Sequence, residues 1–182
     1  MQNMRVQVCM VLATMVLFGL MLTANEWLFT RFEFAKGINW VYLPAGMRLL
    51  CTLLFAEAGA IGLLLVSWAV CFLYFFPDDY VRSFMGGILA SAAPYLAYRL
   101  ARWGFGLEAS LANLSPARLL ACVLGCSIAS PLLHHIWFAL QGQGEHLVHS
   151  FLVMTAGDLF GTLIVVYAAK VLLALAPPPR VR

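Results

Sequence analysis

The sequence predicts an all-α integral membrane protein, a bundle of about six transmembrane helices of which the second is short. Hydrophobic residues make up 63% of the 182 residues and charged residues only 10%, whereas a soluble domain carries about 25% charged residues. The mean hydropathy is +0.90, and uncharged runs of about 20 residues, enough to cross a bilayer, recur along the chain. We expect one polytopic domain over residues 1–182, with helices at about 6–29, 41–56, 59–76, 83–100, 117–140 and 147–175.

The first helix is predicted by residues 6–25, which contain no charged residue. A cleaved signal peptide is the alternative, because Arg5 precedes the run, but no convincing small-x-small cleavage site follows it. We therefore interpret the run as a retained helix. Trp27 and Phe29 lie where an aromatic belt at the membrane interface is expected.

Residues 41–77 are either two tightly turned helices or one long broken helix. A continuous helix of that length would measure about 55 Å, well beyond a hydrocarbon core of about 30 Å. We therefore expect two helices, with a turn near Glu57, Ala58 and Gly59.

Residues that favour the start or the end of a helix mark the boundaries of the last three predicted helices. A Gly- and Ala-rich fourth helix follows the loop at Pro77, and Pro94 is expected to kink it. Ser115 and Pro116 suit the start of the fifth helix, since proline is favoured at the first helical position. The sixth helix is expected to stop at the prolines 177–179.

The distribution of basic residues orients this bundle. With the N-terminus inside, seven of the eleven Lys and Arg residues lie on the inner side, as the positive-inside rule requires. We expect a bacterial inner (cytoplasmic) membrane protein with both termini in the cytoplasm. The inner set is Arg5, Arg99, Arg102, Arg118, Lys170, Arg180 and Arg182.

Several function classes have little support. A net charge of +3 is too small and too dispersed for nucleic-acid binding. The five cysteines lie in apolar stretches and are expected to be small buried hydrophobes rather than a disulfide framework. The sequence has no GxSxG motif, phosphate-binding loop or carboxylate pair with an obvious base. We expect no enzyme activity and no cofactor.

Charged residues inside helices are the strongest functional signal, since a central charge costs about 2.5–3.5 kcal/mol on insertion scales. Asp158 lies in the sixth helix, flanked by Gly157 and Gly161, where another helix could approach closely. Arg48 lies in the second helix. We expect Asp158 to pair with Arg48 or with a histidine of the fifth helix. The pair forms either a pocket for a small polar or anionic ligand, or a structural ion pair that fixes helix register. The predicted ligand-binding residues are Arg48, Asp158, Gly46, Pro44, Glu57 and His134.

A second pattern lies in the fifth helix, where Cys122, Cys126, Ser130 and His134 recur every four residues on one face. Such a stripe could contribute to a metal or haem site, or it could be a helix-packing seam. No HExxH or CxxC motif accompanies it, so we predict no metal site.

Two segments carry a family resemblance. Residues 40–50 (WVYLPAGMRLL), with 54–57 (LFAE) and 59–62 (GAIG), resemble the second and third helices of bacterial membrane-associated sensor domains of the first type. Residues 157–165 (GDLFGTLIV) resemble the Gly-Asp-x-x-Gly element of that family's closing helices. Three features depart from the family pattern: the chain has fewer than the usual eight helices, we expect no output domain in it, and Arg48 is unusually polar for its helix.

The resemblance implies a sensory or ligand-binding module that works through a membrane or cytoplasmic signalling protein, as those domains do with histidine kinase or cyclic-di-nucleotide output domains. The size also suits the substrate-binding component of an energy-coupling-factor transporter, where spacings such as Ala56-x-x-x-Ala60 and Ala93-x-x-x-Ala97 would serve docking. A third hypothesis is an assembly factor for a membrane complex.

Overall fold

A computed structural model describes residues 3–142 and 146–175. Within them the chain forms five helices and one small β-hairpin. The hairpin, β1 (Glu33–Ala35) and β2 (Ile38–Asn39), is antiparallel and joins the first two helices. The helices are α1 (Met4–Phe29), α2 (Leu43–Val70), α3 (Tyr80–Phe105), α4 (Pro116–Leu140) and α5 (Leu147–Leu175).

Four segments are long and apolar enough to cross a membrane: Met4–Phe32, Leu43–Phe75, Pro116–Leu140 and Leu147–Leu175. They are compatible with a multi-pass membrane protein. Large apolar side chains face outward along all five helices, as expected where lipid replaces water. The helix α3 is not among the four segments.

The predicted count of six helices is not matched, because the second and third predicted helices form the single element α2. This element is broken at Ala56, whose backbone has φ +50° and ψ −121°. A Cβ at Gly59 would overlap the carbonyl group of Cys51. Eight residues of straight helix would separate these two positions by about 12 Å. The element α2 therefore doubles back on itself, close to the predicted turn.

The helix starts follow local capping. Ser115 accepts a hydrogen bond from the backbone N–H of Arg118 at 3.4 Å, and α4 begins at Pro116 as predicted. Asp79 caps α3 in the same way, and Pro94 lies inside that helix. The prolines predicted to end the last helix lie outside the described residues, as do Arg180 and Arg182.

The β-hairpin lies at one end of the bundle and the bend of α2 lies at the other. At the hairpin end, the β-hairpin meets the start of α5, where the rings of Phe34 and His149 lie 4.8 Å apart. At the bend end, a groove brings together Met4, the bend at Ala56, and Ala109 in the loop after α3.

Close backbone packing joins α5 to the start of α2. A Cβ at Gly157 would overlap the carbonyl group of Asn39, and one at Gly161 would overlap that of Tyr42. A Cβ at Gly46 would lie 2.9 Å from the Cα of Thr162. The close approach expected from these glycines is thus present, and the two segments that carry the family resemblance pack against each other.

Candidate ligand-binding cavity

A cavity of about 70 Å³, here called the end cavity, lies inside the hairpin end of the bundle. Its volume suits a few water molecules or one small polar group. Pockets for whole drug-sized ligands measure about 300–1,000 Å³. The basic side chains at its wall are Lys36, Arg48 and Arg82, and the aromatic ones are Phe18, Tyr42, Phe75, Phe76, Trp137 and Phe138.

Arg48 is the most deeply buried cation of the end cavity, with 8% of its surface exposed. Its guanidinium carbon lies 5.3 Å from the ring centre of Phe18 and 5.2 Å from that of Tyr42, within cation–π range. One terminal nitrogen donates a hydrogen bond of 3.3 Å to the Tyr42 hydroxyl, whereas Nε has no partner in the described part of the chain. Aromatic rings therefore hold the guanidinium while leaving donor capacity unused.

Arg82 enters the same cavity from the first turn of α3. Its guanidinium carbon lies 4.0 Å from the ring centre of Phe76 and 5.7 Å from that of Phe138. Its buried Nε also has no hydrogen-bond partner among the described residues. Arg82 was not among the ligand-binding residues predicted from the sequence. Its position one turn before Gly86, at the start of a predicted helix, was the available signal.

Ser67 provides a third buried polar atom at the wall, an Oγ without a partner. Buried polar groups in proteins are nearly always hydrogen-bonded, and unpaired ones each cost about 1–3 kcal/mol. Three such atoms around one cavity, on Arg48, Ser67 and Arg82, indicate a wall that is complementary to a polar guest.

Asp158 is buried, at 2% exposure, but does not line the end cavity. The expected ion pair is not formed: no cation–carboxylate pair in the described part of the chain lies within 4.0 Å. The reason is that the Arg48 side chain is held by Phe18 and Tyr42 instead. Arg48 and Ser130 of α4 are nevertheless near enough to act on the charge of Asp158.

The two histidines of α4 do not pair with Asp158 either. Nδ1 of His134 lies 2.8 Å from the Ser130 carbonyl oxygen, and the ring borders the end cavity. His135 contacts the Pro131 carbonyl oxygen through Nδ1 and the Ser150 hydroxyl through Nε2, at 2.8 and 3.0 Å. Backbone and hydroxyl partners therefore occupy these rings.

The small-residue stripe of α4 is largely a packing seam. Cys122 and Cys126 lie in a core cluster with Leu49, Leu53 and Tyr98, as the packing alternative predicts. Among the residues that the structure describes, no group of three or more His, Cys, Asp or Glu side chains could hold a metal ion.

The remaining predicted site residues lie elsewhere. Glu57 is exposed beside the bend of α2, in the groove that Arg102 also lines, at the opposite end from the cavity. Pro44 and Gly46 belong to the buried start of α2, where Gly46 contacts α5. Of the six predicted residues, Arg48 and His134 thus share the end cavity.

Asn25 was missed by the sequence analysis. It is 1% exposed near the end of α1, and its Oδ1 accepts a 2.9 Å hydrogen bond from the backbone N–H of Leu43. Tyr42, the N-cap residue of α2, makes no side-chain cap of its own. A neighbouring helix therefore supplies the cap, and the signal was an asparagine in the last turns of an apolar helix.

The fold and the cavity are those of a helical bundle compatible with a multi-pass membrane protein, with a polar cavity inside one end. Comparisons with protein-family models, curated proteins and solved structures find no match to the chain.

Proposed function

We propose that this protein is an integral membrane ligand-binding module that holds a small polar or anionic ligand in the end cavity and acts through a signalling protein partner. The observation that carries this proposal is a set of three buried polar atoms around one cavity that have no partner within residues 3–142 and 146–175. The partner and the sensory role rest on the resemblance to membrane-associated sensor domains of the first type.

The proposal includes six crossings of a bacterial inner membrane. Because α2 doubles back at Ala56, it would contribute two of them, and α3 would cross between α2 and α4, which both contact it. The first half of α2, residues 43–55, is about 20 Å long, so it falls short of a 30 Å core. Its start would lie at membrane depth, where backbone groups need protein partners. Asn25 and Gly157 supply such partners.

With both termini in the cytoplasm, the end cavity would face the outer side of the membrane and the bend end the cytoplasm. Trp27 and Trp103 are exposed near opposite ends of the bundle, which fits anchoring at the two interfaces. A ligand would then arrive from outside, and a cytoplasmic partner would contact the opposite end.

The test fills the cavity with a larger side chain and measures which bound molecule the protein then loses. Gly86 lines the end cavity, and a Cβ there would lie 3.3 Å from Sγ of Cys71. Gly86→Leu should therefore project into the cavity. Gly104→Leu is the matched control in the same helix, because nothing lies within 4 Å of a Cβ at Gly104.

Native mass spectrometry of each variant, purified in lipid nanodiscs from the same cells, reports the bound molecules. We expect a molecule that is present on the wild-type protein and on Gly104→Leu, and absent from Gly86→Leu. The same set of bound molecules on all three folded proteins would contradict a ligand in this cavity.

The transporter hypothesis receives less support. Ala93 and Ala97, one of the small-residue pairs proposed for docking, are 0% and 8% exposed inside the bundle, so they are not free to meet another protein. Uptake of a solute by vesicles that contain the protein and an energising partner would favour this alternative. An assembly role would be favoured by a stoichiometric protein partner that binds Gly86→Leu as well as wild type.

A further inference from the structure

We infer that the end cavity binds an oxyanion, a carboxylate or phosphate group, between Arg48 and Arg82. This inference rests on the proposed function and names the chemistry of its ligand.

The first argument is charge. Among the residues that the structure describes, Lys36, Arg48 and Arg82 line the end cavity and no Asp or Glu does. Of the nearby carboxylates, Asp79 accepts the backbone N–H of Arg82 at 2.9 Å and so caps α3. Glu33 accepts the backbone N–H of Gly37 at 3.4 Å and is exposed. Asp158 is buried outside the wall and makes no ion pair within the described residues. A buried charge is energetically costly unless it is paired, and a bound anion would pair with the two arginines.

The second argument is the kind of donor. A guanidinium presents several N–H groups in one plane, which suits the oxygens of carboxylate and phosphate. The guanidinium carbons of Arg48 and Arg82 lie 5.2 Å and 4.0 Å from the ring centres of Tyr42 and Phe76. Such cation–π contacts supply no hydrogen-bond acceptor, so they leave N–H donors available. The partnerless Nε atoms of Arg48 and Arg82 are consistent with this, and the Ser67 hydroxyl adds a neutral donor.

The third argument is size. A cavity of about 70 Å³ has room for one oxyanion group but not for a large cofactor. Beyond the basic groups the wall is mostly apolar, as Phe18, Phe75 and Trp137 illustrate. The same chemistry would therefore suit a free small anion from the aqueous phase or the headgroup of an anionic amphiphile whose chain continues into the lipid.

The experiment uses the full chain in detergent and four probes: acetate, inorganic phosphate, dodecanoate and dodecyl phosphate. Dodecanol, which has the same chain without the charge, is the control ligand. Binding is followed by intrinsic fluorescence, since Trp137 borders the cavity. We expect at least one anion to bind saturably, and dodecanol to bind at least about tenfold more weakly than dodecanoate, because it lacks charge-assisted hydrogen bonds.

Arg48→Gln and Arg82→Gln should each weaken binding of that anion about tenfold or more. Arg102→Gln, at the bend end of the bundle, should leave it unchanged. Should Arg48→Gln fail to fold, Arg48→Lys tests the same point, because it keeps the charge and loses the planar donor array.

The probes also identify the source of the ligand. Equal binding of acetate and dodecanoate, or of phosphate and dodecyl phosphate, indicates a free anion, whereas binding of the dodecyl compounds alone indicates a headgroup.

Dodecanol binding as tightly as dodecanoate, no saturable binding by any anion, or affinities unchanged in folded Arg48→Gln and Arg82→Gln would overturn the inference. If the molecule that Gly86→Leu displaces is neutral, the oxyanion inference fails but the proposed function stands. If Gly86→Leu displaces nothing, the proposed function fails as well.

Discussion

The bend of α2 depends on a backbone conformation that alanine adopts only at a cost. Ala56 has φ +50° and ψ −121°, close to the values of about +60° and −120° at the first central position of a type II′ turn, where glycine dominates. An L-residue in such a region costs on the order of 1–3 kcal/mol. Glycine removes that strain but loses about 0.5–1 kcal/mol through its more flexible unfolded state. Ala56→Gly should therefore stabilise the protein by about 1 kcal/mol.

The thermal unfolding midpoint in detergent measures this effect. For a chain of this size 1 kcal/mol corresponds to roughly 2–4 °C, so Ala56→Gly should raise the midpoint by about that amount. Ala60→Gly, four residues later in the regular part of α2, should lower it by a similar amount, because glycine is about 1 kcal/mol worse than alanine within a helix. If both variants lower the midpoint equally, Ala56 is not in a left-handed conformation and the bend is wrong.

Two further predictions test the cap and the path of the chain. Asn25→Ala leaves the first backbone N–H of α2 buried without its acceptor and should cost about 1–3 kcal/mol. Its midpoint should fall well below that of Thr23→Ala, which removes only an exposed hydroxyl; equal midpoints would argue against the cap. Epitope tags inserted after Lys36 and after Asp78 should react on the same side of the membrane, opposite to a tag after Ser110, when intact and permeabilised spheroplasts are compared. Reaction of the first two tags on opposite sides would mean that α2 crosses once without doubling back.

The sequence predicted features that depend on local chemistry or on length. A helix through residues 41–77 would be too long for the bilayer, and this length argument located the turn within a few residues of Ala56. Ser115 and Pro116 marked the start of α4 because capping is encoded by neighbouring residues. Gly157 and Gly161 indicated close packing, since only a missing Cβ permits it.

The sequence could not reveal which polar groups meet across the bundle. Arg48 and Asp158 were expected to pair because each is expensive in an apolar helix, yet Tyr42 and Phe18 hold the guanidinium instead. Cation–π contacts use aromatic residues that are common throughout this chain, so no spacing singles them out. Arg82 was missed for a related reason: its partners come from other segments, and only the folded chain brings them together.

Tyr42 links the Arg48 guanidinium at the end cavity to α5. Its ring and hydroxyl contact the Arg48 guanidinium at the cavity wall, while its backbone N–H donates a 3.0 Å hydrogen bond to the carbonyl oxygen of Gly157. Gly161 packs against the backbone of Tyr42. An anion that draws the Arg48 guanidinium away from the Tyr42 hydroxyl would therefore change a contact of a residue that packs on α5. In the proposed sensory role, α5 would carry a change at Tyr42 from the hairpin end toward the opposite end of the bundle, where the proposed partner would contact it. That role requires α5 to shift between two states at this contact.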